Sequence, residues 1–330
     1  MITLKKILLV ALIVFFWTSS VLLARKKGGS SLIENYPLRI IGQFYGLDKS
    51  GKSDTEERGG SLTYIAQNSK GNLYIVYTGN RCEIQVFDAA GNFLSRFGNI
   101  GNKPGEFSEY ISGIAINSKD EVFICDVKRR KIVVFDEKGN FKHDFSSVSG
   151  LSSNDTKQDT YPTHITIGPN DKLYISDGKN GHIWIYTSKG DYISSLGGPA
   201  MGLYPSAAHI SFDKAGNIHI LEGLANKVVK TNPSGGEILS IGKRGSKAGQ
   251  FLRPSGLAVD SSGRIFVSDI VLSVIQIFDG NGTLIGVTKQ ILDEKGNNHS
   301  MSGLNHIFIG RDDTIYITEL PKHRITLLKN

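Results

Sequence analysis

The chain has 330 residues, 39% of them hydrophobic and 21% charged, with 38 glycines against 9 prolines, which excludes a disordered or collagen-like polymer and supplies a sizeable core. The formal charge of +7 is largely an end effect, because residues 1–27 carry five basic side chains and no acidic one, leaving 33 basic against 31 acidic in the rest. A body so nearly neutral gives no general argument for a nucleic-acid partner.

At the amino terminus, Ile7 to Ala24 is apolar apart from Thr18, Ser19 and Ser20, with Lys5–Lys6 before it and Arg25–Lys26–Lys27 after. As a helix this run is just long enough to cross a hydrocarbon layer of about 30 Å. Residues 1–27 are expected to be a signal-anchor or transmembrane helix, and 28–37 a linker. The remainder, 38–330, is expected on the extracytoplasmic side, the alternative being secretion after cleavage at Ala24. Cys82 and Cys125 are too few for a disulfide framework and read as two buried thiols or one bridge.

Beyond the linker the chain repeats. A turn followed by an alternating apolar strand occurs as KGNLYIVY (70–77), KDEVFICD (119–126), NDKLYISD (170–177), AGNIHILE (215–222), SGRIFVSD (262–269) and DDTIYITE (312–319). Aligned on Leu73, Val122, Leu173, Ile218, Ile265 and Ile315, successive units lie 49, 51, 45, 47 and 50 residues apart. Each has a second strand behind it, such as EIQVFD (83–88) or VIQIFD (274–279), then a glycine turn and a weaker strand. With the apolar stretch ahead of each turn, every unit holds four short antiparallel strands, the size of one propeller blade. The sixth unit ends after its third strand, and Leu38–Gly42 repeats the apolar–glycine ending of the fourth. The expected fold is therefore all-β: a six-bladed propeller whose last blade is closed by an N-terminal strand.

LYISDGKNGHIWIYTSKGDYISSLG (173–197), RPSGLAVDSSGRIFVSD (253–269) and the connectors NIGNKPGEF (99–107) and KRGSKAGQF (243–251) resemble NHL repeats over about 38–330. That resemblance implies the fold and leaves function open, since such propellers serve as binding platforms, RNA-binding modules and enzymes alike.

Binding residues are expected on the loops joining each outer strand to the next inner strand, including 43–60, 146–160 and 288–303, and on the turns sharing that face. Basic residues recur in those turns, at Lys128, Arg129, Arg130, Lys179, Lys227, Lys322 and Arg324; they read as a ring of positive charge for an anionic group or as solvated turn residues. Nine residues before each alignment position stand Tyr64, Gly113, His164, His209, Gly256 and His306, near the start of the innermost strand. The three histidines could share a zinc or other divalent transition metal, or each could bond backbone between blades; no other cofactor is expected. The metal arrangement resembles that of peptidylglycine amidating-type lyases. An acidic column, Asp126, Asp177, Glu222, Asp269 and Glu319, reads as a set of acceptors for backbone N–H groups. Few aromatic residues interleave with the basic ones, which argues against RNA. The leading expectation is a tethered propeller binding a protein, peptide or carbohydrate through its loop face; the alternative is a metal-dependent lyase or hydrolase at the channel mouth.

Overall fold

The computed structural model describes residues 33–34, 36–46, 60–79, 81–147, 161–197, 207–320 and 323–329. Six sheets succeed one another along the chain, each built on consecutive antiparallel strands in up-and-down order. The inner strands are Gly60–Gln67, Ile111–Ile116, Pro162–Ile167, Ala207–Phe212, Pro254–Val259 and Leu304–Ile309. Second strands such as Leu173–Asp177 and Ile265–Asp269 are buried at every residue, because both sheet faces are covered by neighbouring blades. Outer strands such as Phe93–Phe97 are half-solvated. The core therefore lies between blades. One cluster joins Leu173, Ile175 and Trp184 of the third blade to Phe123 and Val134 of the second.

The ring closes as the repeat arithmetic requires. Arg39–Tyr45 pairs antiparallel with Arg324–Lys329, completing the sixth blade. Tyr316, Ile325 and Leu327 of that blade pack against Leu62, Ile75 and Phe87 of the first. On the face opposite the connectors, Asp120 accepts the Ser69 amide at 2.8 Å and its hydroxyl at 2.6 Å across a blade boundary. Asp171 with Ser118 and Asp313 with Ser261 repeat this clasp.

Two features differ from the sequence reading. The expected linker 28–37 contributes to the propeller: Ile33–Glu34 pairs parallel with the outer strand of the fifth blade, Leu284–Thr288. Buried Tyr36 follows, its amide on the Val287 carbonyl at 2.9 Å and its hydroxyl taking a bond from Arg264 at 2.7 Å. The connector 288–303, expected as loop, folds into a hairpin of Gln290–Leu292 and Asn298–Ser300 that extends the sixth blade beyond Arg39–Tyr45. The apolar segment 7–24 lies outside the described residues; among those described, no helix is long and apolar enough to cross a membrane. Cys82 and Cys125 are both buried free thiols.

Candidate functional site

The inner strands share one irregularity. In every blade the register with the second strand slips at one place, between Leu62/Tyr64, Ser112/Ile114, Pro162/His164, Ala207/His209, Pro254/Gly256 and Leu304/His306. A bulge re-aims the side chain beside it. Tyr64, His164, His209 and His306 accordingly meet around the axis. Ring centres are 4.7 Å apart for His164–His209 and 5.1 Å for His209–His306, with Tyr64 5.4 Å from His306 and 6.4 Å from His164. The remaining two places are glycine for steric reasons. A Cβ at Gly256 would stand 2.8 Å from the Ile307 amide nitrogen, and one at Gly113 2.9 Å from that of Ile165.

Burial dominates the electrostatics of this cluster. It holds His209 down at about 4, against a hydrogen bond to the Ser255 backbone that acts the other way. Burial, then the neighbouring imidazoles, push His164 and His306 well below the usual histidine range, opposed by bonds to the Ile210 and Ile65 backbone. Each histidine thus leans on the next blade and is neutral at pH 7, while all three Nδ1 atoms are buried without a partner. The cluster can accept hydrogen bonds from a donor entering the axial cavity of about 230 Å³ that Tyr64, His164 and His306 help to line. Both halves of the sequence reading coexist here, convergence and bonding to neighbouring backbone. The histidine rings meet tilted, at 49° for His164–His209 and 33° for His209–His306, and among the described residues no group of three or more His, Cys, Asp or Glu is arranged to hold a metal ion. The donor set as it stands does not fit the zinc site considered from sequence.

On the connector face, the acidic column ties connector to turn. Asp269 accepts the Leu252, Arg253, Val271 and Leu272 amides at 2.8, 3.0, 3.0 and 2.9 Å. Asp126 takes Ser108 and Arg129 amides, and Asp177 takes those of Tyr161 and Lys179. Glu222 also pairs with Lys227 at 3.5 Å, and Glu319 with Arg324. The basic ring is thus partly spent internally. Arg129 donates to the Glu106 carbonyl at 2.9 Å and to the Gly101 carbonyl, clamping its own connector. Lys128 lies 3.4 Å from exposed Glu109, Arg130 supplies a left-handed turn position with φ 54°, and Lys322 lies outside the described residues.

Sequence reasoning missed the apolar part of this face. Two positions after the column acid stand Lys128 and Lys179 in the second and third blades, but Leu224 and Val271 in the fourth and fifth, 77% and 57% exposed. Immediately before the inner strands of the second and third blades stand exposed Tyr110 and Tyr161. The Lys179 ammonium lies 5.4 Å from the Tyr161 ring centre, and Lys128 and Tyr110 occupy the same two positions one blade earlier. The signal was available in the alignment, where apolar residues replace lysine at a turn tip.

The described geometry defines a six-bladed β-propeller of NHL-type repeats, and comparison with known proteins agrees. A family model described as a six-bladed β-propeller matches residues 64–155. The protein brain tumor of Drosophila melanogaster is 26% identical over 149 residues, which are 44% of this chain and 14% of that one. NHL repeat-containing protein 3 of Mus musculus is 27% identical over 184 residues, half of each chain. The chain thus spans half or less of these relatives. Among solved structures, a streptogramin B lyase superposes with a TM-score of 0.57 at 16% identity, covering 86% of this chain and 85% of that one. Virginiamycin B lyase from Staphylococcus aureus gives 0.59 at 16% identity, over 89% and 99%. At these identities the likeness is one of fold.

Proposed function

We propose that the protein is a binding platform that takes a protein, peptide or carbohydrate ligand on its connector face, tethered to a membrane through residues 1–27 with the propeller on the extracytoplasmic side. One observation carries the reading: the Tyr161/Lys179 pair, with Tyr110 and Lys128 at the same two positions one blade earlier, occupies the same face as the projecting Leu224 and Val271. Aromatic faces, cations and projecting aliphatic groups on a rigid ring suit recognition of an extended ligand, and the rest of the face holds them in place through the acidic latches. Leu224 and Val271 project from turn tips into solvent, which leaves them available to a ligand on this face.

Peptide and glycan arrays probed with the chain from Gly28 onward test this. The expected result is a restricted set of positives that Tyr110→Ala/Tyr161→Ala and Leu224→Glu/Val271→Glu each weaken at least tenfold at unchanged melting temperature. Positives indifferent to both double variants would overturn the reading.

A further inference from the structure

A second site sits over the fifth blade, at the rim of the same face. A cleft of about 810 Å³ opens where three separate segments meet: the connector around Lys247, the turn at Leu272–Ser273, and the hairpin that begins at Lys289. That volume is in the range of small-molecule sites. Its floor is apolar and buried, from Val274, Val287 and Met301. Its charged lining residues are Lys247 and Lys289, both exposed, and no carboxylate lines it. Among the described residues neither ammonium takes part in an ion pair.

Comparison with the sister connector explains why the space is open. Lys243–Phe251 repeats Asn99–Phe107, so Gln250 corresponds to Glu106, Leu272 to Arg129 and Gln276 to Val133. In the second blade, Arg129 crosses from the turn and bonds the Glu106 carbonyl at 2.9 Å, filling the space between turn and connector. In the fifth, the corresponding Gln250 carbonyl is taken from beneath by the Gln276 amide at 2.6 Å, and Gln276 in turn accepts the Gly249 amide at 2.7 Å. The connector is anchored in both blades, yet here the turn contributes only Leu272. The volume an arginine fills in one blade is left free in the other, and the hairpin supplies its far wall and second cation.

We infer that this cleft binds a small amphipathic anion, a carboxylate or phosphate group carried on an apolar body, with the anion between Lys247 and Lys289 and the body on the Val274–Val287–Met301 floor. An apolar floor with two unpaired cations and no acid rejects cations and leaves a neutral analogue without its polar contacts.

Titration calorimetry with octanoate, octyl phosphate and octanol tests it on the full chain. One anion at least is expected to bind with one-to-one stoichiometry, at least tenfold more tightly than octanol; preference between octanoate and octyl phosphate identifies the headgroup. Lys247→Ala/Lys289→Ala is expected to lose at least tenfold in affinity for the anion without change in octanol binding or melting temperature, both side chains being on the surface. Gln276→Leu, which frees the connector, is expected to weaken all ligands together. Equal binding of octanol and the anions, indifference to the lysine double variant, or no binding of either anion at millimolar concentration would each overturn the assignment. Array binding at Tyr110 and Tyr161 is expected to survive the lysine substitutions, which keeps the two sites distinguishable.

Discussion

The imidazoles of His164 and His209 lie 4.7 Å apart, ring centre to ring centre, and each is buried on the propeller axis, so a proton on either would place a poorly solvated cation beside its neighbour. His209 is held at about 4 in the folded chain against 6.5 in the open chain. As pH falls, the unfolded state takes up protons first, so stability is level above about pH 6.5 and declines from there toward pH 4. For His209 alone the decline amounts to about 3 kcal/mol. Urea denaturation at steps from pH 7.5 to 4 should show this slope, and His209→Gln should make it shallower, His164 and His306 keeping the remainder. Equal slopes in the two proteins would contradict the assignment of neutral, buried histidines.

Closure of the ring by the N-terminal segment is equally open to test. Leu38 is fully buried among Tyr36, Ile291 and Leu304, and its carbonyl accepts the Leu292 amide at 3.0 Å. Leu38→Ala should cost about 3 kcal/mol. A chain beginning at Gly46 lacks the whole strand, leaves Arg324–Lys329 without its outer partner, and should self-associate on size-exclusion chromatography. A monomeric, fully stable truncation would contradict the closure.

The acidic latch makes a sharper energetic prediction. Asp269 is fully buried and accepts four backbone amides. Asp269→Ala would strand those donors, and should destabilise by about 3 kcal/mol or more by chemical denaturation. Ser255→Ala, which removes one hydroxyl bonded to the Leu304 carbonyl at 2.6 Å and strands no backbone amide, should cost far less. If both variants lose the same small amount, the column is decorative.

A glycine in the connector gives a fourth. Gly242 has φ +85°, and a Cβ there would meet the Phe251 ring at 2.2 Å. Gly242→Ala should therefore both strain the backbone and displace Phe251, lowering the melting temperature clearly, whereas Gly263→Ala, with φ +82° but open space around it, should lower it less.

These sites differ in how far the sequence revealed them. The blades and the closing strand were legible because each strand alternates against a turn of fixed chemistry, and Leu38–Gly42 copies the ending of other units. The hairpin at 290–300 carried a signal that periodicity alone did not expose: DEKGN at 293–297 is identical to the outer-strand turn DEKGN at 136–140. In both copies the aspartate accepts the amides two and four residues on. The pairing of Ile33–Glu34 had no such mark, since two residues of parallel strand leave no pattern. The histidines could be placed on one ring from spacing. Their mutual orientation depends on bulge geometry and on the absence of a Cβ at Gly113 and Gly256, which only packing fixes. The cleft over the fifth blade arises from exchanging Arg129 for Leu272 and Val133 for Gln276 between sister repeats, a compensated pair invisible to a search for motifs.

The central claim, that ligand recognition belongs to the connector face, is tested most directly by hydrogen–deuterium exchange with and without a ligand recovered from the arrays. The account predicts protection of the segments 108–112, 127–131, 222–226 and 269–273, with the opposite-face turns 68–72, 117–121 and 260–264 unchanged. Protection confined to those opposite-face turns would contradict it.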